Sequence, residues 1–174
     1  MNREDLARRA EKLLADHGIT GLPVPVERIA VQIGAQIARS AAEWSESGFL
    51  LRDGNQVIIG LNSRNSAKRQ RFSIAHEIGH WLFHDGKKLI VDQSVMINKR
   101  NDVSSQATDR QEIEANGFAA ELLMPQYFLM VTIRKQLQQG IGSREELITA
   151  LAQEFDVSND AMGWRLINLG VLSN

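Results

Sequence analysis

The stretch His76-Glu77-Ile78-Gly79-His80 constrains this chain more than any other, because it demands a helix, and a largely buried one, in the middle of the sequence. At about 3.6 residues per turn, positions 76 and 80 lie roughly 40° apart around a helix, with Glu77 on their flank, so all three address one small volume. Around them Phe72, Ala75, Ile78-Gly79 and Leu82-Phe83 recur at helical spacing, and Asn62-Ser63-Arg64-Asn65-Ser66 offers several N-caps ahead of the run. Two imidazoles would hold one metal ion there, with a glutamate beside them to handle a proton.

Two histidines are an incomplete hydrolytic site, since such a centre normally takes three protein ligands and keeps a fourth position for water. The chain contains no cysteine, so disulfides, thiolate ligands and a thiol nucleophile are all excluded. The third ligand must then be an acid or a further histidine. Glu112-Ile113-Glu114-Ala115-Asn116 supplies the best candidates, on a stretch whose Ala115, Ala119 and Ala120 allow a close helix crossing. Gly79 fits the same crossing: a helix-interior glycine costs about 1 kcal/mol relative to alanine, and an approaching neighbour is a reason to keep it. Glu112 and Asn116 are i,i+4 partners, so Glu112 as ligand would place Asn116 to hydrogen-bond a ligand histidine, with Glu114 pointing elsewhere. Glu121 is a weaker third option. A set of two histidines and one carboxylate suits Zn²⁺ and would also accept Mn²⁺, Co²⁺ or Fe²⁺.

A metal held in this way would acidify a water and polarise a carbonyl, with Glu77 taking the water proton and later returning it to a leaving amine. Tyr127, the only tyrosine, is a candidate donor to the oxyanion of the transition state.

The remaining sequence describes the surroundings. With 174 residues, 43% apolar and 24% charged, the chain is expected to fold alone around a real core. A net charge of −1 gives no general pull toward nucleic acid or an anionic membrane. The charged opening residues and the lack of a long apolar run point away from a signal peptide or membrane span, and make the cytoplasm the expected location. Helices are expected over 2–16 and 26–33, stopped by Gly18 and Gly34, and strands over 48–51 and 56–59, joined through Arg52-Asp53-Gly54-Asn55. Residues 35–39 and 89–91 are further strand candidates. The polar run 98–106 reads as a mobile loop, followed by helices over 108–124, 126–139, 143–155 and 158–169.

At the level of whole blocks, Arg71-Phe72-Ser73-Ile74-Ala75-His76-Glu77-Ile78-Gly79-His80 and Glu112-Ile113-Glu114-Ala115-Asn116-Gly117-Phe118-Ala119-Ala120-Glu121-Leu122-Leu123-Met124-Pro125 resemble the ImmA/IrrE metallopeptidases in order and spacing. The resemblance implies an α+β fold: a mostly helical, zincin-like domain at 1–125 with a small antiparallel sheet packed on the HExxH helix, and a C-terminal helical, helix-turn-helix-like subdomain at 126–174 packed on it. It implies a gluzincin-like zinc peptidase with His76, His80 and Glu112 as ligands and Glu77 as base. Its expected substrate is a cytoplasmic regulatory protein, a helix-turn-helix repressor or antitoxin. The chain resembles a minimal member lacking an extra C-terminal sensor domain. Peptidases of this kind often bind substrate as an added strand, for which residues 49–51 or 57–59 are candidates.

Blander or competing readings are also available. His84 continues the i,i+4 series and is read as packing or hydrogen bonding, and His17 as structural. Lys68, Arg69 and Arg71 are read as a solvated face without a role. Leu147, Leu151, Phe155, Val157 and Leu166, with Asp156-Val157-Ser158 as a turn, are arranged as in a helix-turn-helix. That raises a non-catalytic repressor- or DNA-binding module as the alternative function. Residues 159–169 carry Asp160 and a single Arg165, too little positive charge for phosphate contacts, so direct nucleic-acid binding is not expected.

Overall fold

The computed structural model describes residues 1–41, 47–85, 88–91 and 103–173, with the backbone alone for 103–108. The elements run α1 (Arg3–Asp16), α2 (Val26–Gln32), β1 (Ala35–Ser40), β2 (Gly48–Asp53), β3 (Gln56–Asn62), α3 (Ala67–Phe83), β4 (Leu89–Val91), α4 (Val103–Leu123), α5 (Gln126–Gln138), α6 (Arg144–Glu154) and α7 (Asn159–Asn168). The fold is α+β, as expected. Helix starts follow their caps: the side chains of Asn2, Ser66, Ser143 and Ser158 accept from the backbone N–H of Asp5, Arg69, Glu146 and Ala161. Each such cap is worth about 1 kcal/mol. At the far end of α1, Gly18 N bonds Ala15 O and Ile19 N bonds Leu14 O, the pair of bonds that closes a Schellman turn.

Helix α4 begins at Val103, well ahead of the expected start at 108. Val103-Ser104-Ser105-Gln106-Ala107 contains neither glycine nor proline, so nothing stops the helix from propagating back through these polar residues. The rest of the expected loop, 98–102, lies outside the described residues.

The strands form one sheet in the order β1-β3-β2-β4. The sheet is mixed rather than antiparallel throughout as expected: β3, β2 and β4 pair antiparallel, while β1 joins β3 in parallel, Ala35 opposite Val57 and Ser40 opposite Asn62. The parallel pair arises because the chain passes from β1 to β2 before the hairpin returns β3 between them. In that hairpin Asp53 pairs with Gln56, so the turn is the two residues Gly54-Asn55. Gly54 has φ 58°, which a side chain would disfavour, and glycine at the first central position is the pattern of a II′ turn. This order overturns the expected substrate edge. Residues 49–51 pair with β3 and β4, and residues 57–59 with β1 and β2, so neither segment has an unpaired side to offer.

One hydrophobic cluster unites the elements: Leu50 and Ile59 of the sheet, Ile74 and Ile78 of α3, Phe118 and Leu122 of α4, and Leu151, Phe155 and Leu166 of the last helices. Helix α3 lies between the sheet and α4, and α4 also packs on α1. The cations expected on a solvated face hold this arrangement together. Lys68 Nζ donates to Val157 O at 2.8 Å, and Arg71 Nε to Asp156 O at 3.2 Å, with Asp156 Oδ2 at 3.1 Å. Arg69 Nε donates to Ser47 Oγ at 2.9 Å. Asp156 has φ 52°, so the α6–α7 turn leaves backbone carbonyls directed at α3, where long basic side chains can reach them.

Candidate metal centre

The site is built where α3 crosses α4. Residues Ser73 to His80 of α3 are all buried, wedged between the sheet on one side and α4 on the other. The crossing is tight at Gly79: a Cβ there would stand 3.2 Å from Ala115 Cα and 3.2 Å from Phe118 Cδ1. Alanine at this position would press on the Ala115 backbone as well as on the Phe118 ring. The small pair Gly79 and Ala115 therefore sets how closely the His76/His80 face approaches Glu112.

That approach brings three side chains together. His76 Nε2 is 3.2 Å from Glu112 Oε2, His80 Nε2 is 3.2 Å from Glu112 Oε1, and the two Nε2 atoms are 3.0 Å apart. One ligand atom from each of the three residues lies within 4.8 Å of the other two. His76 and His80 are each 1% exposed, whereas the Glu112 side chain is 20% exposed, so the carboxylate is the member of the three with surface open to solvent. Burial by itself raises the Glu112 carboxyl, while the hydrogen bonds and positive charge that His76 and His80 supply when protonated towards it hold it at about 2 in the metal-free protein.

The donor set fits a divalent cation. His76 Nδ1 lies 3.0 Å from Asn116 Oδ1 and donates to it, so in the neutral imidazole Nε2 carries a lone pair. The Glu112 Oε2 atom it faces is buried and has no hydrogen-bond partner among the described residues. Lone pairs directed at one point from two nitrogens and a carboxylate repel each other unless a positive charge sits among them. Nitrogen and oxygen donors of this kind suit Zn²⁺ and accept other first-row divalent ions.

Glu77 is fully buried one residue from His76, on the side of α3 that meets β2. A Cβ on Gly48 would stand 2.9 Å from Gly60 O, so the close approach of β2 to β3 calls for glycine there, and Glu77 Oε1 lies beside it at an ordinary contact distance of 3.6 Å. Ser73, one turn earlier, is also fully buried, and its Oγ lacks a hydrogen-bond partner among the described residues.

The structure separates the other candidates from this cluster. Glu114 meets His84 Nε2 at 3.2 Å and Arg110 Nε at 3.2 Å. Glu121 is 3% exposed and locked by Arg165: Nη1 donates to Glu121 Oε1 at 2.6 Å, Nη2 to Oε2, and Nε to Met124 O at 3.1 Å. A carboxylate saturated in this way has no role as a third ligand. Tyr127 is 70% exposed at the start of α5, its described ring contact is with Phe128, and no described contact joins it to the triad. Arg165, the single cation of α7, is taken up by Glu121, so the helix has even less charge for phosphate contacts than its sequence suggests.

Two features were hard to see in the sequence. His84, at the C-cap of α3, is 5% exposed and places its Nδ1 3.0 Å from His80 Nδ1. Its i,i+4 spacing from His80 gave a hint of this. Burial pushes the His84 imidazole below its ordinary value, while the hydrogen bond to Glu114 opposes the shift. Arg52, at the end of β2, donates through Nη2 to the carbonyls of His80 and His84, each at 2.9 Å, so it caps the end of the metal helix. No local pattern marks an arginine on a strand as the cap of a helix 28 residues away.

A helix-borne histidine pair completed by a carboxylate from a crossing helix, with a buried glutamate beside it, is the donor pattern of the metallopeptidases. The family profile Peptidase_M78, described as the IrrE N-terminal-like domain, matches residues 32–166. The chain belongs to this family, whose members are ImmA/IrrE-type metallopeptidases. No curated protein matches it. Among the described residues no helix is long and apolar enough to cross a membrane.

Proposed function

We propose that the protein is a zinc-dependent endopeptidase that cuts a regulatory protein in the cytoplasm, with a helix-turn-helix repressor or an antitoxin as the substrate class. The observation that carries the reading is the convergence of His76, His80 and Glu112 on one point, with Glu77 buried alongside. Zn²⁺, or Mn²⁺ in its place, would supply a Lewis acid that lowers the pKa of a water and polarises the scissile carbonyl. Glu77 serves as the base that takes the water proton and returns it to the leaving amine. Asn116 fixes the ring of His76, so that its Nε2 stays directed at the centre. Burial of the histidines and Glu77 keeps bulk water from competing for these groups.

The test first asks whether the adjacent reading frame encodes a helix-turn-helix protein, and then mixes that protein with the purified peptidase and Zn²⁺ or Mn²⁺. Discrete fragments are expected from the wild type. Glu77→Gln is expected to lower cleavage by roughly 10²- to 10⁴-fold, with metal content and partner binding retained. An intact partner with either metal, or a biological effect that survives in Glu77→Gln, would point instead to a binding module.

A further inference from the structure

We infer that His84 and Glu114 act as a positioning relay for His80, fixing the tautomer that presents its Nε2 lone pair to the metal. The metal-binding half of this inference rests on the reading above, and the tautomer half does not.

With both imidazoles neutral, the geometry admits one proton arrangement. His80 Nδ1 and His84 Nδ1 are 3.0 Å apart, so one of them carries the shared hydrogen and the other accepts it. The far nitrogen of His84, Nε2, is 3.2 Å from Glu114 Oε2. Glu114 also accepts from Arg110 Nε and from the Met1 amine, two cationic donors that mark it as an ionised acceptor. A carboxylate that only accepts places the His84 proton on Nε2, which leaves His84 Nδ1 as a lone pair. The shared hydrogen therefore belongs to His80 Nδ1. A neutral imidazole protonated at Nδ1 has its lone pair at Nε2, the atom 3.2 Å from Glu112 Oε1 and 3.0 Å from His76 Nε2.

Each ligand histidine is thus held from behind, His76 directly by Asn116 and His80 through a second imidazole. Arg52 bonds the carbonyls of both His80 and His84, so it fixes the backbone on which the two rings face each other. His84 is 5% exposed, and packing alone would not require its two nitrogens to face a ligand and a carboxylate.

The first measurement is the tautomer of His80 in metal-free protein, read by long-range nitrogen–proton correlation on ¹⁵N-histidine-labelled material at a pH where imidazoles are neutral. Wild type is expected to show His80 protonated at Nδ1. His84→Gln, whose amide oxygen still accepts, is expected to keep that tautomer, whereas His84→Leu is expected to spread the proton onto Nε2. The second measurement is Zn²⁺ affinity by chelator competition. His84→Leu is expected to weaken binding by on the order of 10- to 100-fold, with His84→Gln recovering most of it. Should His84→Leu fail to fold, Glu114→Leu removes the outer acceptor and carries the same readouts. A wild-type His80 protonated at Nε2, or a folded His84→Leu with unchanged Zn²⁺ affinity, overturns the relay. A wild type that binds no metal but holds His80 in the Nδ1 form leaves the relay standing and sinks the peptidase reading instead.

Discussion

Helix α4 turns two glutamates inward, Glu121 buried and Glu112 half-buried, and the chain treats them in opposite ways. Glu121 is met by the full fork of Arg165, with Arg3 Nε 3.4 Å from Oε1, so its charge is neutralised by residues of the chain itself. Glu112 faces two imidazoles that are metal donors when neutral, and one of its oxygens has no hydrogen-bond partner among the described residues. A buried carboxylate left incompletely satisfied is expensive unless something outside the chain completes it. Glu121 therefore closes the structure by tying α4 to α7, and Glu112 leaves a place for an ion.

The sharpest break in this contrast is Glu121→Ala. It strands Arg165, 4% exposed, without its counterion, and is expected to destabilise the fold by roughly 3–5 kcal/mol. Urea unfolding checks this; metal affinity per folded molecule should not change. Glu112→Ala is expected to do the reverse. Metal binding measured by chelator competition should fall by more than the roughly 10- to 100-fold typical of outer-shell substitutions, while metal-free stability at neutral pH falls by less than in Glu121→Ala.

Gly79→Ala tests the spacing that both carboxylates share. The added Cβ meets Ala115 Cα, and overpacking of this kind costs about 1–3 kcal/mol, offset by about 1 kcal/mol of helix propensity. A modest loss of stability together with weaker metal binding is expected, because the two helices must part where the triad closes.

The smallest effect is on pH dependence. Glu112 titrates at about 2 in the folded protein against 4.5 ordinarily, so the unfolded chain takes up the proton first as pH falls. Stability from this group is complete above 4.5 and is lost progressively toward 2. Urea midpoints of metal-free wild type and Glu112→Gln should therefore converge as pH falls through that interval. His84 adds a loss in the same direction below its ordinary value of 6.5.

Much of this was legible in the sequence. The histidine pair, the glutamate beside it and the Glu112/Asn116 pairing all follow from helical spacing, and the helix starts follow from capping residues. The order of the strands was not legible, since period-two patterns say which residues alternate and not which strand lies outside. Neither was the fate of Tyr127, whose position just past α4 says nothing about where its ring points.

The sequence by itself determined the local geometry: which residues share a helix face, where helices begin, and which donors are available to a metal. Only the tertiary structure decided which acid meets which partner, with Glu112 on the histidines, Glu114 on His84 and Glu121 on Arg165. The first kind of information resides in the 3.6-residue repeat of a single helix. The second depends on how helices distant in sequence dock, which the size of Gly79 and the packing of the shared core control and no short stretch of residues encodes.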